Sequence, residues 1–504
     1  MGKNRLALTN MFFLLGRMAI TMVINLYASR ILLDALGVSD YGVYNVVAGM
    51  VVMISFLHYS LNGATVRFIN IEFANNNFFR LNELFKNLFF VHLIIGLLII
   101  LIGEPLGLYL VYKYLNLPDN RIWAAEYVLH FSIASMFLNV IQVPYDSTII
   151  AHQKMNILAY VSILESLLKL SACFLVLYST WDHLVLYSFL LFSISLITRA
   201  IYQIYCKINY KETKLSFNFK FDTGILKEVS VYFGWDLIGN IAALLRTQGI
   251  NILQNIFFGT IVNASMGIAN VVANAISSLV ANVSFALKPQ IFQYYSTGDK
   301  DKSFYLVDIG ARLSFYFLLL ISIPFIFQTD FFLNLWLDEI PEFSTNYTRF
   351  IIFSILFGTI FDYLVIIINA NGRIKTISVF GTIIYLANFI VALVLLKSGC
   401  NKYTVSIIHI LTTFIMGIVN TMILTKLEPS FNLNSFWINV ILRCSLVSIL
   451  SFYLNYLLLK TFYLKDIYAV IIEMVITFII ILILGIKNIE KVQLFNIVRK
   501  RVKL

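Results

Sequence analysis

Long apolar tracts recur along the whole chain, and they limit its possible folds more than any other feature of the sequence. Tracts of about 20 apolar residues follow one another, and each can cross a hydrocarbon layer about 30 Å thick. Only 12% of the residues are charged, against about 25% in soluble domains. Lipid-exposed backbone must satisfy its own hydrogen bonds within helices or closed barrels, and the tracts lack the alternation of barrel strands. The sequence therefore predicts an all-α polytopic membrane protein.

The apolar tracts predict about fourteen transmembrane helices. The spans are 10–33, 42–64, 85–109, 124–146, 156–178, 184–206, 228–257, 263–287, 306–327, 347–370, 377–396, 403–425, 436–459 and 466–486. Almost no chain remains for a soluble domain, because the longest segments between spans are 207–227, 288–305 and 328–346.

Lysine and arginine are distributed unequally between the two sides of the predicted membrane protein. An even number of spans places both termini on one side, and most basic loop residues lie on that side. The loops of the other side hold Lys113, Arg121, Lys397, Lys402, Lys460 and Lys465. Loops rich in lysine and arginine face the cytoplasm, so we expect both termini there. The net charge of +11 then reflects topology and contact with anionic membrane lipids, not nucleic-acid binding.

Neither the cysteines nor the histidines have the spacing of a metal or redox site. The four cysteines and six histidines are scattered along the chain without a ligand motif. We therefore expect no metal and no cofactor.

Two short segments recur at nearly constant offsets. At an offset of 225 residues, GVYNVVAG (42–49) lies over GIANVVAN (267–274), so that Asn45 faces Asn270. At an offset of 219, IIAHQK (149–154) lies over INANGR (368–373). Together they place spans 1–6 over spans 7–12, with spans 13–14 left over.

This repeat predicts the domain organisation. We expect an N-terminal six-helix bundle (1–206), a cytoplasmic linker (207–227), a C-terminal six-helix bundle (228–425), and an extra helix pair with a basic cytoplasmic tail (426–504). Six spans per repeat give both bundles the same orientation, so a pseudo-two-fold axis along the membrane normal relates them. Transporters built in this way bind substrate between the repeats.

Three segments resemble bacterial polysaccharide and O-antigen flippases of the multidrug/oligosaccharidyl-lipid/polysaccharide exporter (MOP) superfamily. They are RMAITMVINLYASRILLDALGVSDYGVYNVVAGMVVMISFLHYSLNGATVRF (17–68), VPYDSTIIAHQKMNILAYVSILESLLKL (143–170) and LNLWLDEIPEFSTNYTRF (333–350). The resemblance covers most of residues 1–425. It implies two six-helix bundles around a V-shaped cavity lined by spans 1, 2, 7 and 8. Spans 13–14 are similar to the extra pair of peptidoglycan-precursor flippases and some polysaccharide flippases.

Two of the arginines inside spans are candidates for binding an anion, because an ionised side chain there costs at least about 2.5–3.5 kcal/mol and needs a partner. Arg17 is near the middle of span 1, and Arg246 is in span 7 at the position equivalent to Thr21. Residues 17 and 21 share a helix face, so the two arginines point from equivalent faces, about 6 Å apart in depth. The planar fork of arginine suits a diphosphate. The alternative is that helix carbonyls or a structural carboxylate satisfy each arginine.

Further polar residues complete the predicted substrate site. Arg30 is kept as a candidate, although Asp34 lies one turn later and a local ion pair with snorkelling is the alternative. Asn45, Asn270 and Asn274 are candidates for contacts with sugar hydroxyls. Their alternative role is to hydrogen-bond between helices.

Three acidic residues in the spans are candidates for ion coupling, because a lone intramembrane carboxylate can carry H⁺ or Na⁺. Asp362 in span 10 and Glu473 in span 14 have no evident local partner, and Asp236 in span 7 could instead neutralise Arg246. The alternative is a carboxyl that burial keeps neutral. Two other acids have a basic residue one turn away and are expected to form structural pairs: Glu165 with Lys169 and Asp308 with Arg312.

The leading hypothesis is a flippase in the bacterial inner membrane. It would move undecaprenyl-diphosphate-linked oligosaccharide by alternating access, as a monomer, for O-antigen, capsule or exopolysaccharide synthesis. The alternative is a cation-coupled multidrug exporter of the same superfamily. A membrane glycan enzyme is disfavoured, because the longest outer loop, QTDFFLNLWLDEIPEFSTN, has four acids but no Lys, Arg or His.

Overall fold

The computed structural model consists of helices joined by short connections. It describes residues 3–54, 65–66, 68–70, 72–73, 78–215, 241–371, 374–462 and 466–487, and no strand occurs in these ranges. Twelve helices of these ranges are long and apolar enough to cross a membrane. The prediction of an all-α polytopic membrane protein is therefore confirmed.

Fifteen α-helices of the described residues are labelled in chain order. They are α1 Lys3–Ile54, α2 Phe78–Lys113, α3 Ile122–Ala151, α4 Met155–Leu177, α5 His183–Asn209, α6 Ile250–Phe258, α7 Thr260–Ser296, α8 Lys300–Phe327, α9 Thr329–Trp336, α10 Ser344–Ala370, α11 Ile374–Lys397, α12 Thr404–Leu427, α13 Leu433–Phe436, α14 Arg443–Phe462 and α15 Asp466–Ile480. Three π-helical turns lie beside them, at Leu245–Gly249, Trp437–Leu442 and Ile481–Gly485.

A glycine separates the first two predicted spans inside α1. Gly37 has φ 70° and ψ 167°, so the helix is broken there. Glycine adopts this positive φ without the steric cost that a Cβ atom would add. The same device joins α6 to α7, where Gly259 has φ 79° and ψ −172°. A glycine with positive φ thus separates two helical segments at both places.

Several helices extend beyond the apolar tracts that predicted them. α2 begins at Phe78, α3 ends at Ala151 and α7 ends at Ser296, whereas the predicted spans had limits at 85, 146 and 287. The backbone hydrogen bonds of a helix continue through polar residues, but an apolar tract ends at the first charges. Predicted span 7 (228–257) begins outside the described residues.

The chain divides into two compact units. Unit 1 comprises Met1–Val271, Asp338–Ser344 and Ser378–Val405. In it α1 packs on α3 and α4, and α3 packs on α2 and α5. The loop ends are joined by Arg121, which forms ion pairs with Asp40 at 2.5 Å and with Asp182 at 2.6 Å. Asp182 also accepts a hydrogen bond from the Val185 amide and so begins α5.

Unit 2 comprises Val272–Leu337, Thr345–Ile377 and Ser406–Leu504. Its C-terminal helices α14 and α15 pack on α8. Two polar contacts join α8 and the residue after it to the C-terminal helices. Arg312 donates to the Gly485 carbonyl at 3.5 Å, and Gln328 donates to Glu473 at 3.0 Å. The extra helix pair is thus part of unit 2, while the predicted bundle limits at 206, 228 and 425 stay predictions.

Candidate functional site

Arg246 lies on an irregular turn of its helix. The π-helical turn Leu245–Gly249 precedes α6, and such turns occur mostly as single-turn insertions, frequently at functional sites. The guanidinium carbon of Arg246 lies 4.8 Å from the centre of the Tyr385 ring in α11. A cation over an aromatic face is attracted by the ring quadrupole. The ring therefore orients the guanidinium and helps to offset its cost at membrane depth.

Arg17 in α1 interacts electrostatically with a tyrosine of α5 in unit 1. Its backbone carbonyl accepts a hydrogen bond from the Thr21 hydroxyl at 2.8 Å, which confirms that residues 17 and 21 share a face. Arg17 is within electrostatic range of Tyr202 in α5, which is also in range of Asp146 and Arg199. Binding of an anion by Arg17 and its neutralisation by a structural carboxylate both stay predictions.

A group of charged residues inside unit 1 was missed by the sequence analysis. Asp146 in α3 accepts a hydrogen bond from Gln142 at 2.9 Å and is in electrostatic range of Arg199 and Glu165. Glu165 also pairs with Lys169 at 2.8 Å, which confirms the predicted i,i+4 pair. Asp146 was missed because the predicted span ended at 146, whereas α3 continues for five residues.

Arg30 has a distant partner in addition to its neighbour Asp34. Its guanidinium binds the Asp338 carboxylate, with Nη2 2.6 Å from Oδ1. Hydrogen bonds from Arg30 and Asp34 lower the pKa of Asp338, and its small desolvation opposes them. The predicted alternative, an ion pair of Arg30 with Asp34 alone, therefore leaves out a partner: Asp338, which lies 308 residues further along the chain, also binds Arg30. No sequence spacing indicates this contact.

A buried asparagine network links α1, α6 and α7. Asn251 donates to the Asn45 backbone carbonyl at 3.2 Å and accepts from Asn263 at 2.7 Å. Asn255 donates to Asn263 at 2.8 Å and accepts from the Asn116 amide at 2.8 Å. Buried amides of this kind specify how helices pack. The sequence analysis singled out Asn45 but missed its partners in α6 and α7.

The predicted sugar-binding asparagines differ in exposure. Asn45 is half-buried, and its side-chain amide donates to the Tyr41 carbonyl at 2.8 Å. Asn270 and Asn274, one turn apart on α7, are exposed. Their exposure agrees with a role in binding, which stays a prediction for all three residues.

The predicted coupling residues lie in different surroundings. Asp362 is exposed on α10, whereas Glu473 is fully buried in α15 and accepts a hydrogen bond from Gln328. The second carboxyl oxygen of Glu473 has no hydrogen-bond partner among the described residues. Asp236 lies outside the described residues.

Asp308 and Arg312 were predicted to form a structural pair. Arg312 donates a hydrogen bond to the backbone carbonyl of Asp308 at 3.3 Å.

Comparison with known proteins finds matches among solved structures alone. No family model and no curated protein matches the chain. The lipid II flippase MurJ, in an inward closed conformation, matches 93% of this chain and 97% of its own, with a TM-score of 0.71 and 15% identity. An inward-facing multidrug resistance MATE family transporter of the MOP superfamily matches 82% and 99%, with a TM-score of 0.64 and 14% identity. The chain therefore shares the fold of these two structures.

A third MOP structure comes from Pyrococcus furiosus and has a TM-score of 0.58, 14% identity and coverage of 83% of this chain and 96% of its own. Its description says that reverse polarity of its binding pocket suggests a different function.

The extent of each match distinguishes the MOP structures. The first 425 residues are about 84% of the chain, so the 93% match to MurJ must extend into the C-terminal segment that holds α14 and α15. The MATE match, at 82%, does not require that segment.

Proposed function

We propose that the chain is a flippase for an anionic lipid-linked oligosaccharide, namely undecaprenyl diphosphate that carries a short glycan. The observation that carries the proposal is the match to the lipid II flippase structure over 93% of the chain. The membrane arginines Arg17 and Arg246 supply the positive charge that a diphosphate needs. Arginine suits this role because its planar fork bonds two phosphate oxygens at once.

Each candidate residue has a role in this proposal. Tyr385 contacts the face of the Arg246 guanidinium, and the N–H groups in the guanidinium plane donate to phosphate oxygens. Arg17 adds a second positive charge, while Asn270 and Asn274 bind sugar hydroxyls. Arg30, paired with Asp338, and Asn45, in the asparagine network, form the outer part of the site.

The proposal includes a location and a cycle. The protein lies in the bacterial inner membrane with both termini in the cytoplasm, as the distribution of basic loops indicates. It acts as a monomer by alternating access of its two bundles, and the product enters O-antigen, capsule or exopolysaccharide synthesis. A carboxylate, with Asp362 the first candidate and Asp236 and Glu473 the others, couples the cycle to H⁺ or Na⁺.

A cation-coupled multidrug exporter is the second candidate function. The likeness to MATE structures favours it, as does the exposed carboxylate of Asp362. Such an exporter would protect cells against cationic drugs, and its activity would depend on acidic residues more than on Arg17 and Arg246.

The test replaces each membrane arginine in a strain whose own copy of the gene is deleted. Arg17→Ala and Arg246→Ala each remove a charge-assisted hydrogen-bond group worth about 1.5–3 kcal/mol, or about ten- to a hundredfold in binding. We expect surface glycan to fall at least tenfold while the protein still reaches the membrane. Arg→Lys retains the charge without the fork, so partial export is expected.

Arg443→Ala is the matched control, because Arg443 belongs to the extra helix pair and donates to the Leu484 carbonyl at 3.4 Å. Surface glycan should persist in this variant. Normal glycan in both the Arg17 and Arg246 variants, combined with a gain in drug sensitivity in Asp362→Asn, would favour the exporter.

A further inference from the structure

An apolar cavity of about 260 Å³ lies in unit 1 among α1, α2, α3, α6 and α11. Its lining consists of aliphatic side chains, glycines and one phenylalanine, without a charged or hydrogen-bonding side chain. The residues used below are Leu106, Leu110, Gly249 and Phe389. An apolar cavity of about 150 Å³ is large enough to bind benzene, so this cavity has room for a larger hydrocarbon group.

The cavity and Arg246 share two structural elements. Gly249, on the cavity wall, is the last residue of the π-helical turn that carries Arg246. A Cβ atom on Gly249 would lie 3.0 Å from the Phe389 ring, so the two elements meet closely there. Phe389 lies one turn along α11 from Tyr385, the residue that contacts the Arg246 guanidinium. The positive charge is therefore about one helical turn from the cavity wall.

The depth of these groups follows from helix geometry. Arg246 lies twelve residues before the end of α6 at Phe258, which is about 18 Å at 1.5 Å per residue. Gly249 is about 14 Å and Leu106 about 10 Å from the ends of their helices on the same side. In a hydrocarbon layer about 30 Å thick, Arg246 is near the middle. The cavity occupies the half that the loop charges assign to the outer leaflet.

We propose that this cavity binds the first isoprene units of the polyprenyl chain while Arg246 binds the diphosphate. The inference rests on the proposed function and adds a separate binding site for the chain of the lipid. In a polyprenyl diphosphate the hydrocarbon chain is bonded directly to phosphate, so apolar groups begin next to the anion. A phospholipid places a polar glycerol ester there, which the purely apolar lining would leave without hydrogen bonds.

The test fills the cavity and measures lipid binding by native mass spectrometry of the purified full-length protein. Leu106→Trp and Leu110→Trp place an indole in the cavity from α2. Leu101→Trp is the matched control, because Leu101, like Leu106, is an exposed leucine of α2 but does not line the cavity. The probes are undecaprenyl phosphate, phosphatidylglycerol and inorganic diphosphate. Gel filtration shows whether each variant is folded.

We expect undecaprenyl phosphate to bind at least tenfold more weakly to both cavity variants and within twofold of wild type to Leu101→Trp. Inorganic diphosphate, which has no chain, should bind all of them equally and lose affinity in Arg246→Ala. Equal binding of undecaprenyl phosphate by wild type and the two cavity variants would overturn the inference. A loss confined to phosphatidylglycerol would also overturn it, since the cavity would then hold an ordinary phospholipid.

These outcomes are separable from failure of the proposed function. If the wild-type protein exports glycan and the cavity variants export it equally well, the cavity assignment is wrong and the flippase stands. If the wild-type protein exports no glycan yet its undecaprenyl phosphate binding is lost on filling, the chain-binding cavity stands and the proposed function is wrong.

Discussion

Two buried glutamates hold corresponding helix ends together in the two halves of the chain, and they do so with different chemistry. Glu212 follows α5, the last helix of the predicted first repeat, and Glu428 follows α12, the last helix of the second. Each side chain is 4% exposed. Each glutamate binds the turn that follows the fourth predicted span of its repeat. Glu212 contacts His152 after α3, and Glu428 contacts Asn371 after α10. These two residues are matched by the 219-residue offset.

Among the described residues, the Glu212 carboxylate has one side-chain partner. His152 Nε2 lies 2.6 Å from Glu212 Oε1, and the His152 ring stacks on Tyr210 with centroids 3.9 Å apart. Asn82, near the start of α2, donates to the Glu212 backbone carbonyl at 2.6 Å. Aromatic packing thus supplements a single polar contact to the side chain.

The Glu428 cluster contains three partners for its carboxylate. Lys300, the first residue of α8, lies 2.6 Å from Oε2. Asn371 donates to Oε1 at 2.7 Å, and the Tyr295 hydroxyl donates to the same oxygen. Burial opposes ionisation, but these hydrogen bonds outweigh it and lower the pKa of Glu428 below its ordinary value.

The two halves share the position of the buried glutamate but differ in the residues that bind it. Three features correspond in the two halves: the position of the buried carboxylate, the turn that binds it, and the start of the helix of the third predicted span, which is α2 in one half and α8 in the other. The partner chemistry does not correspond, since one half uses a histidine and stacked rings and the other a cation, a phenol and an amide. The second half should therefore depend more on its glutamate.

The largest expected effect is that of Glu428→Ala on stability. It removes the carboxylate that accepts from the half-buried Tyr295 hydroxyl, from Lys300 and from Asn371, although Asn371 keeps its hydrogen bond to the Tyr295 hydroxyl at 2.9 Å. A hydrogen bond to a charged group is worth about 1.5–3 kcal/mol. Glu212→Ala removes one side-chain contact, so its cost should be about 1 kcal/mol. Heating the detergent-solubilised proteins and measuring the monodisperse fraction tests this order. Glu342→Ala, at an exposed loop position, is the control, and equal losses in the two glutamate variants would refute the comparison.

A smaller effect is expected from pH. Because the folded state lowers the pKa of Glu428 from 4.5, its ionisation stabilises the protein fully above that value, and the contribution is lost as pH falls through the folded pKa. Thermal stability should therefore decline more in wild type than in Glu428→Gln between about pH 5 and pH 3. Asp299, whose pKa the hydrogen bond from Lys302 lowers, contributes to both proteins and cancels in the difference. Parallel pH curves would contradict the prediction.

Sequence reasoning identified the helices and much of the repeat for identifiable physical reasons. Apolar tracts report burial in lipid, so they located the spans, and glycines at residues 37 and 259 mark breaks that need a positive φ. The match of residue 152 with residue 371 came from two similar helix ends. The polar ends of α2, α3 and α7 were missed, because hydropathy carries no information on backbone hydrogen bonds.

Contacts between distant residues could not be obtained from the sequence. Arg30 pairs with Asp338 across 308 residues, whereas the sequence offered only Asp34 nearby. The network through Asn251, Asn255 and Asn263 forms only where three helices approach one another. The sequence alone does not distinguish an asparagine that binds sugar from one that binds a neighbouring helix. For the same reason the predicted roles of Asn270 and Asn274 need the binding experiments.

The smallest expected effect is that of His152→Asn, which gives the first half the residue that the second half has at this turn. Asparagine retains a donor for Glu212 but removes the ring that stacks on Tyr210, and an aromatic pair is worth about 0.5–1.5 kcal/mol. The same heating assay should show a loss below that of Glu428→Ala. His130→Asn, which alters a half-exposed pair with Glu104, should change stability still less, because exposed ion pairs contribute little. A loss in His152→Asn as large as that in Glu428→Ala would mean that ring stacking stabilises the first half as strongly as the carboxylate network stabilises the second.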